Sequence, residues 1–380
     1  MGVVLHWFLP TNGDSRTDLS LGNAVGAAGS RAVEGGDERA PDIGYIGQIA
    51  RSAEHVGFTG ALTPTSSWCE DAWIMTAGLT QLTERFKFLV AFRPGLMSPT
   101  LAAHMAATYQ RISGGRLLLN VVTGGDDVEQ QRFGDHLGKQ ARYARAGEFL
   151  HVVRELWRGA PVDFAGEYFD VRGGQIVPAS VWPEIYLGGS SSPALDVAAA
   201  YADVYLTWGE PPDAVAEKID RVRERAKAAG RELRFGIRLH VITRDSSEEA
   251  WAQAQRLLAG LDPAAIERAQ AIQRASQSEG QRRMAALHRG RTDKLEVSPN
   301  LWAGIGLVRG GAGTALVGSH EEVADRIAEY YALGIDEFIL SGYPHLEEAY
   351  QVGEGVMPVL RRRGLLASPG PAHDPREILV

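Results

Sequence analysis

The chain has 380 residues, 44% of them hydrophobic and 23% charged, and its formal net charge is −8. This composition is typical of a soluble globular protein with a large core, and the acidic balance argues against nucleic acid or an anionic membrane as a partner. The single cysteine, Cys69, excludes an internal disulfide and a zinc site built from cysteines.

The amino-terminal stretch does not resemble an export signal. Its apolar residues 3–9 have no basic side chain ahead of Arg16, and no run in the chain approaches the ~18 apolar residues of a membrane span. The sequence therefore favours a cytoplasmic protein.

Short apolar runs alternate with helical patterns along the whole chain, which is typical of a parallel sheet wrapped by helices. The eight predicted strands are 3–10, 58–65, 87–94, 116–124, 184–190, 203–210, 234–245 and 337–345. The predicted helices include 45–56, 71–83, 100–112, 143–157, 212–229 and 320–333. Ser319 and Glu322 form a capping-box pattern at the start of the last of these, and Gly334 stands where a left-handed residue would end it.

Eight strand-then-helix units with no strand left over favour a closed (β/α)₈ TIM barrel over an open doubly wound sheet. We expect a single domain over residues 1–362 and a short tail at 363–380. Two stretches, 22–41 and 261–318, interrupt the alternation. Both patterns are typical of surface loops, and both follow the carboxyl ends of strands, where barrel enzymes carry their active sites. The second stretch, with Arg309 beside three glycines, is a candidate lid.

Polar residues collect at the predicted strand ends. Arg238 and His240 are two apart on the seventh strand and share a face, and Ser341, Tyr343 and His345 share a face at the eighth by the same spacing. A buried guanidinium is costly unless it is paired, so Arg238 together with Arg309 predicts a bound anion. Arg238, as an arginine in a strand, could instead stack on a helix or bridge a carboxylate.

The turn GGSSSP at 188–193 leads from the fifth strand into a helix, and its amides and hydroxyls suit a phosphate. The sequence has no G-x-x-x-x-G-K-[ST] loop, no G-x-G-x-x-G after the first strand and no metal-ligand spacing. A phosphate-bearing organic cofactor without a metal remains.

Several motifs resemble the two-component FMNH₂-dependent alkanesulfonate monooxygenases of the bacterial luciferase-like superfamily, and together they cover about residues 3–360. They are WFLPT at 7–11, CEDAW at 69–73, KFLVAFRP at 87–94, NVVTG at 120–124, LTWGEPP at 206–212, FGIRLH at 235–240, LWAG at 301–304, VG at 317–318 and SGYPH at 341–345. The resemblance implies a barrel that takes reduced FMN from an NAD(P)H-dependent FMN reductase, reacts it with O₂, and splits an alkanesulfonate into sulfite and an aldehyde for sulfur acquisition. It also implies a homotetramer.

The resemblance assigns roles to individual residues. Arg238 and Arg309 would grip the sulfonate, His240 and Tyr343 would be an acid–base pair, and His345 would add a polar contact. Cys69 would lie near the flavin and assist its reaction with O₂ without attacking covalently. The residues implied to bind FMN are Asn120, Thr123, Tyr143, Ser190, Ser191 and Trp208, the two serines holding the phosphate.

Asn12 stands where many members of the family carry a histidine, and the 22–41 stretch is longer than usual. The alternatives are a methanesulfonate or sulfone monooxygenase of the same superfamily, a deazaflavin-dependent oxidoreductase, and a non-catalytic barrel that binds flavin or an anion. The Cys69 segment and the pair of Arg238 and Arg309 argue against a deazaflavin-dependent oxidoreductase.

Overall fold

A computed structural model describes residues 2–19 and 38–366 of the chain. Its centre is a closed barrel of eight parallel strands, numbered here β1 to β8. They are β1 Val4–Phe8, β2 Gly60–Thr63, β3 Lys87–Phe92, β4 Leu117–Val121, β5 Ile185–Gly188, β6 Val204–Trp208, β7 Arg234–Arg244 and β8 Glu337–Ser341. Each strand pairs with the next along the chain and β8 pairs with β1, which closes the barrel and confirms the predicted (β/α)₈ fold.

The strands are buried on both faces, which explains why they read as nearly continuous apolar runs. Alternate residues along a strand pack in two different hydrophobic cores. Phe8 belongs to a cluster inside the barrel with one or two residues from most other strands, whereas its neighbour Trp7 packs in the larger layer between strands and helices.

The helices form the outer ring. They are Ile43–Val56, Ala72–Leu79, Pro99–Ser113, Asp127–Arg132, Lys139–Trp157, Ser192–Tyr201, Pro212–Ala228, Ser247–Ala259, Pro263–Ala275, Glu279–His288, His320–Ala332, His345–Tyr350 and Met357–Arg362, with a 3₁₀ turn at Gly304–Leu307 and a π-helical turn at Gln351–Val356. The capping box of Ser319 and Glu322 is confirmed, and Gly334 has a φ of 103°. None of the helices in the described part of the chain has both the length and the apolar content to cross a membrane.

The stretch 261–318, called the insertion below, is not the surface loop that its pattern suggested. It contains the helices Pro263–Ala275 and Glu279–His288, which Asp262 and Ser278 cap with their side chains, and an antiparallel pair of strands, Glu296–Ser298 and Leu301–Trp302. Its last strand, Ala315–Ser319, pairs with the far half of β7 beyond the barrel wall.

Two further pairs of short strands were not predicted. Val162–Ala165 pairs with Asp170–Gly174, and Asp14–Ser15 pairs with Glu38–Arg39. In the second pair, Asp14–Ser15 precedes the first predicted interruption, 22–41, and Glu38–Arg39 lies within it; most of that interruption is outside the described residues, as is the tail from 367 onward.

Candidate active site

A chain of hydrogen bonds links the predicted residues of β7 and β8 at the carboxyl end of the barrel, called the mouth below. Arg238 donates to Ser341 Oγ at 2.8 Å, and Ser341 Oγ lies 2.7 Å from His240 Nδ1. His240 Nε2 lies 3.0 Å from the carbonyl oxygen of Ala312, which can only accept, so Nε2 carries the proton and Nδ1 accepts from Ser341. Burial, with Arg238 nearby, holds the pKa of His240 well below its usual value, so the ring is neutral at pH 7.

Arg238 has no carboxylate partner among the described residues. Its guanidinium donates to the carbonyl of Leu239 at 2.6 Å and lies 4.6 Å from the centre of the Phe8 ring. Burial lowers its pKa to about 9, the proximity of Tyr343 opposing this. A buried cation without an anionic partner lowers the stability of the folded protein by several kcal/mol.

The structure brings the other predicted arginine to the same place. The Arg309 guanidinium lies 5.4 Å from the centre of the Tyr343 ring, and that ring stacks on His240 at 5.5 Å. Burial raises the pKa of Tyr343, while the charges of Arg309 and Arg238 act in the opposite direction. Gln273 of the insertion donates to the Arg309 carbonyl at 3.1 Å and so helps to fix the backbone there.

His345 is held by a carboxylate that the sequence analysis did not identify. Asp14 accepts from His345 Nδ1 at 2.9 Å and from the His345 backbone N–H at 2.8 Å. Tyr45 donates to the same carboxylate at 2.6 Å, and Arg39 bridges Tyr45 and Glu347. Burial alone would raise the pKa of Asp14, but His345 and Tyr45 outweigh it and the pKa lies below its usual value. His345 Nε2 is buried and makes no hydrogen bond within the described chain.

Cys69 lies beside this group. Its sulfur is 3.2 Å from Ser66 Oγ, and burial raises the pKa of the thiol, with Glu129 adding to the rise and Ser66 and Arg309 opposing it. The influence of Arg309 shows that the thiol and the mouth are electrostatic neighbours. A protonated thiol is a poor nucleophile, so covalent attack by Cys69 is disfavoured.

The predicted phosphate turn joins three of the predicted residues. Ser190 and Ser191 are both buried, and Ser191 is the N-cap of the helix Ser192–Tyr201, yet its hydroxyl caps no backbone amide and has no hydrogen-bond partner in residues 2–19 and 38–366. At Gly189, φ is 143°, and a Cβ there would lie 3.0 Å from the Tyr143 hydroxyl. The unused hydroxyl, the free helix amides and Tyr143 form a suitable phosphate site.

Asn120 and Thr123 lie at the end of β4, on the same side of the barrel. Asn120 is buried, and neither side chain makes a hydrogen bond within the described part of the chain. The next residue, Gly124, has a φ of 78°, and a Cβ there would be 1.9 Å from the Gln130 amide, so the close approach requires glycine.

Trp208 ends β6 beneath the insertion. A Cβ on Gly280 would lie 3.0 Å from the Trp208 ring, and one on Gly311 would lie 4.0 Å away. The insertion therefore packs directly on this indole, over the mouth.

A buried ion cluster attaches the insertion to the barrel. Glu210, just after β6, accepts hydrogen bonds from Lys218 and from Arg283 of the insertion. Gln270 and Gln273 of the insertion donate to the carbonyls of Leu307 at 2.9 Å and Gly306 at 2.8 Å. These bonds hold the segment that carries Arg309 in a defined conformation.

The important residues that the sequence did not reveal are Asp14, Tyr45, Phe8 and the carbonyl of Ala312. Ser341 was recognised only as sharing a face with Tyr343 and His345. Asp14 follows a turn at Asn12-Gly13, but it lies 331 positions from its partner His345, and no local pattern carries that pairing.

Comparison with known proteins gives one family and several similar structures. The family model described as "Luciferase-like monooxygenase" matches residues 14–337. Similar solved structures include riboflavin lyase RcaE, at 21% identity over 99% of this chain and 95% of that chain with a TM-score of 0.81. The EDTA monooxygenase EmoA from Chelativorans sp. BNC1 is 19% identical over 99% and 98% of the two chains, with a TM-score of 0.75. DmoA from Hyphomicrobium sulfonivorans is 20% identical over 100% and 92%, with a TM-score of 0.78. At these identities the structures show a shared fold.

Proposed function

The chain belongs to the luciferase-like monooxygenase family, and on that basis we propose that it is a flavin-dependent monooxygenase that releases sulfite from alkanesulfonates. The observation that carries the proposal is the buried guanidinium of Arg238, which has no carboxylate partner in the described residues and lies close enough to Arg309 for that second cation to depress its pKa. Two neighbouring cations in a buried site favour an anion between them.

A sulfonate suits this arrangement because it stays ionised at all ordinary pH values and offers three acceptor oxygens. A guanidinium can pair with two of them at once. Neutralising the negative charge also eases the approach of an electron-rich oxidant to the carbon–sulfur group. A neutral sulfone would leave the charge of the buried Arg238 without an anionic partner, which disfavours that alternative.

The residues fit reduced FMN as the cofactor. The unused Ser191 hydroxyl, Ser190, Tyr143 and the amides of the following helix would hold the phosphate, with Asn120, Thr123 and Trp208 near the ring system. The similar riboflavin lyase RcaE is described as carrying a modified FMN and riboflavin. When bound, reduced FMN supplies two electrons to O₂, and a separate NAD(P)H-dependent reductase would deliver it.

The net reaction balances. An alkanesulfonate R–CH₂–SO₃⁻, FMNH₂ and O₂ give R–CHO, HSO₃⁻, FMN and H₂O. The carbon and the flavin each lose two electrons, and O₂ gains four. One oxygen atom becomes the aldehyde oxygen and the other becomes water.

The remaining predicted residues take supporting roles in this proposal. Neutral His240 orients Ser341 and through it Arg238, and the Tyr343 hydroxyl is available for proton exchange beside Arg309. Cys69, as a protonated thiol, stabilises the flavin–O₂ chemistry as a weak donor. The insertion would exclude water from the site. A homotetramer is the proposed assembly, which light scattering on the purified protein would test.

The deciding experiment is a sulfite assay with purified protein, an FMN reductase, NADH and O₂. Alkanesulfonates from methanesulfonate upward would be compared with alkyl carboxylates of matched length and with a dialkyl sulfone. We expect sulfite from at least one sulfonate, and the same series gives the preferred chain length. If no sulfonate yields sulfite while FMN reduction is confirmed, the proposal is wrong; oxidation of a carboxylate instead would assign the arginine pair to another anion.

A further inference from the structure

The pair of Asp14 and His345 is a buried ionisable group that the proposed reaction does not yet use. Both side chains are at most 2% exposed. The carboxylate can only accept, and its pKa is held below the usual value, so it is ionised and His345 Nδ1 carries a proton. In the neutral ring, Nε2 therefore presents a lone pair.

That lone pair has no partner in residues 2–19 and 38–366, although it is buried. A buried polar atom without a hydrogen-bond partner destabilises a native protein, so its presence needs a reason. The other histidine of the mouth differs, because both nitrogens of His240 already bond to Ala312 and Ser341.

His345 lies within the proposed sulfonate site. Its ring is 5.6 Å from the Phe8 ring, whose face lies 4.6 Å from the Arg238 guanidinium, and 5.1 Å from the Tyr343 ring beneath Arg309. Phe8 and Tyr343 are thus shared neighbours of the histidine and of the two cations. A substrate gripped by the arginines would lie next to the histidine.

We propose that His345 Nε2 takes the proton that leaves the substrate carbon, and that Asp14 is the positioning residue that fixes the ring for this transfer; the proposal rests on the sulfonate reaction proposed above. The C–H bond breaks and an N–H bond forms at Nε2. The C–H electron pair becomes the first bond to the incoming oxygen atom, and the O–O electron pair leaves with the other oxygen atom, which becomes water. An oxygen lone pair forms the second C–O bond, and the C–S electron pair leaves with sulfite. His345 then returns its proton to water or to the departing sulfite.

The carboxylate is itself held in place. Tyr45 donates to Asp14 Oδ2, and Arg39 bonds both Tyr45 and Glu347. A matched control is Asp220→Asn, which makes the same chemical change at an exposed aspartate that pairs with Arg223.

The first test needs no turnover. Protein labelled with ¹⁵N-histidine, with the signal of His345 assigned from the variant His345→Gln, should show a neutral ring protonated at Nδ1 at the pH of maximal activity. Asp14→Asn should shift the population toward the Nε2–H tautomer, and Asp220→Asn should not. A wild-type ring protonated at Nε2, in either the neutral or the doubly protonated form, overturns the inference.

The second test is kinetic. Asp14→Asn should lower kcat for sulfite release by about 10²-fold and leave the KM for the sulfonate within about threefold, because Arg238 and Arg309 bind the anion. The primary isotope effect with a 1,1-dideuterated sulfonate should rise in Asp14→Asn. Wild-type kcat in Asp14→Asn overturns this inference without touching the proposed function, and so does an equal loss in Asp220→Asn. A wild-type enzyme that releases no sulfite overturns the proposed function, while the tautomer measurement still reports on the pair itself.

Discussion

Arg283, on a helix of the insertion, donates from Nε to the carboxylate of Glu210 at 2.8 Å, and Glu210 is only 3% exposed. Lys218, also buried, bonds the second carboxylate oxygen. The insertion is thus attached to the end of β6 by an ion pair with Glu210, whose buried carboxylate would be destabilising without a cationic partner.

Removing Arg283 should loosen the insertion without unfolding the barrel. In Arg283→Ala, Lys218 still neutralises Glu210, but the helix Glu279–His288 loses its ion pair. We expect faster hydrogen exchange in that helix, measured by mass spectrometry, and more hydrogen peroxide per NADH consumed, because water reaches the oxidant. The control is Arg282→Ala, whose side chain makes an exposed bond to the Gln277 carbonyl. Equal exchange in both variants would contradict a clamping role.

The lid arginine should matter far more to turnover than to stability. Arg309→Ala is expected to lose about 10²-fold or more in kcat/KM for a sulfonate, because a charged partner of the anion is worth several kcal/mol. Arg291, an exposed arginine of the same insertion that pairs with Asp293, supplies the control Arg291→Ala. Near wild-type turnover by Arg309→Ala would show that this arginine does not bind the substrate.

The Ser191 hydroxyl should contribute to affinity for the phosphate of FMN. Because a hydrogen bond to a charged group is worth about 1.5–3 kcal/mol, Ser191→Ala should weaken FMN binding about tenfold or more. Riboflavin has no phosphate, so its affinity should change little. Anaerobic titrations of both flavins in their reduced forms measure the difference, with Ser192→Ala at the exposed neighbouring position as the control. A parallel loss for FMN and riboflavin would place the phosphate elsewhere.

Acid should destabilise the fold partly through His240. Its pKa in the folded chain is depressed by burial and by Arg238, so below the ordinary value of about 6.5 the unfolded chain binds a proton that the folded chain does not. The free energy of unfolding should therefore be at its full value above about pH 6.5 and fall by up to about 1.4 kcal/mol per pH unit below it.

Denaturant unfolding between pH 7.5 and 5 would measure this slope for the wild type and for His240→Asn. The variant should have a shallower slope. His288 is a second histidine whose pKa burial lowers, so part of the slope should persist in the variant. An unchanged slope in His240→Asn would show that this ring does not titrate as the structure indicates.

The barrel could be predicted because each of its strands is a local pattern. Runs such as 88–92 are apolar at every position since both faces are buried, and the period of two on β7 places Arg238 and His240 on one face. The insertion was harder. Its helices are short and polar on one side, and Gln270 and Gln273 are buried only because they bond carbonyls of the 3₁₀ segment, a contact that their sequence does not reveal.

The site was predictable where its residues lie on strands and not where they meet across the fold. Arg238, His240, Tyr343 and His345 follow from strand ends. Asp14 could not be predicted in this way, because its role depends on His345 at the other end of the chain. It depends also on burial, which removes the water that would otherwise compete for the carboxylate. Charge pairing of that kind is a property of the folded structure and not of a local pattern.

Because β7 continues past the barrel wall, the segment that follows it could be exchanged for the corresponding segment of a related protein. Its last strand lies against β7, with His240 opposite Ala315 and Arg244 opposite Ser319. Because the two strands are parallel, the chain leaves at Arg244 and returns at Ala315, four residues further back along the ladder, roughly 13 Å away. A graft of 245–314 from a relative would meet the same two ends and leave all eight barrel strands in register. Chimeras of this design would keep Arg238, His240, Tyr343 and His345 and would replace the segment that carries Arg309, which offers a direct route to enzymes with altered substrate selectivity.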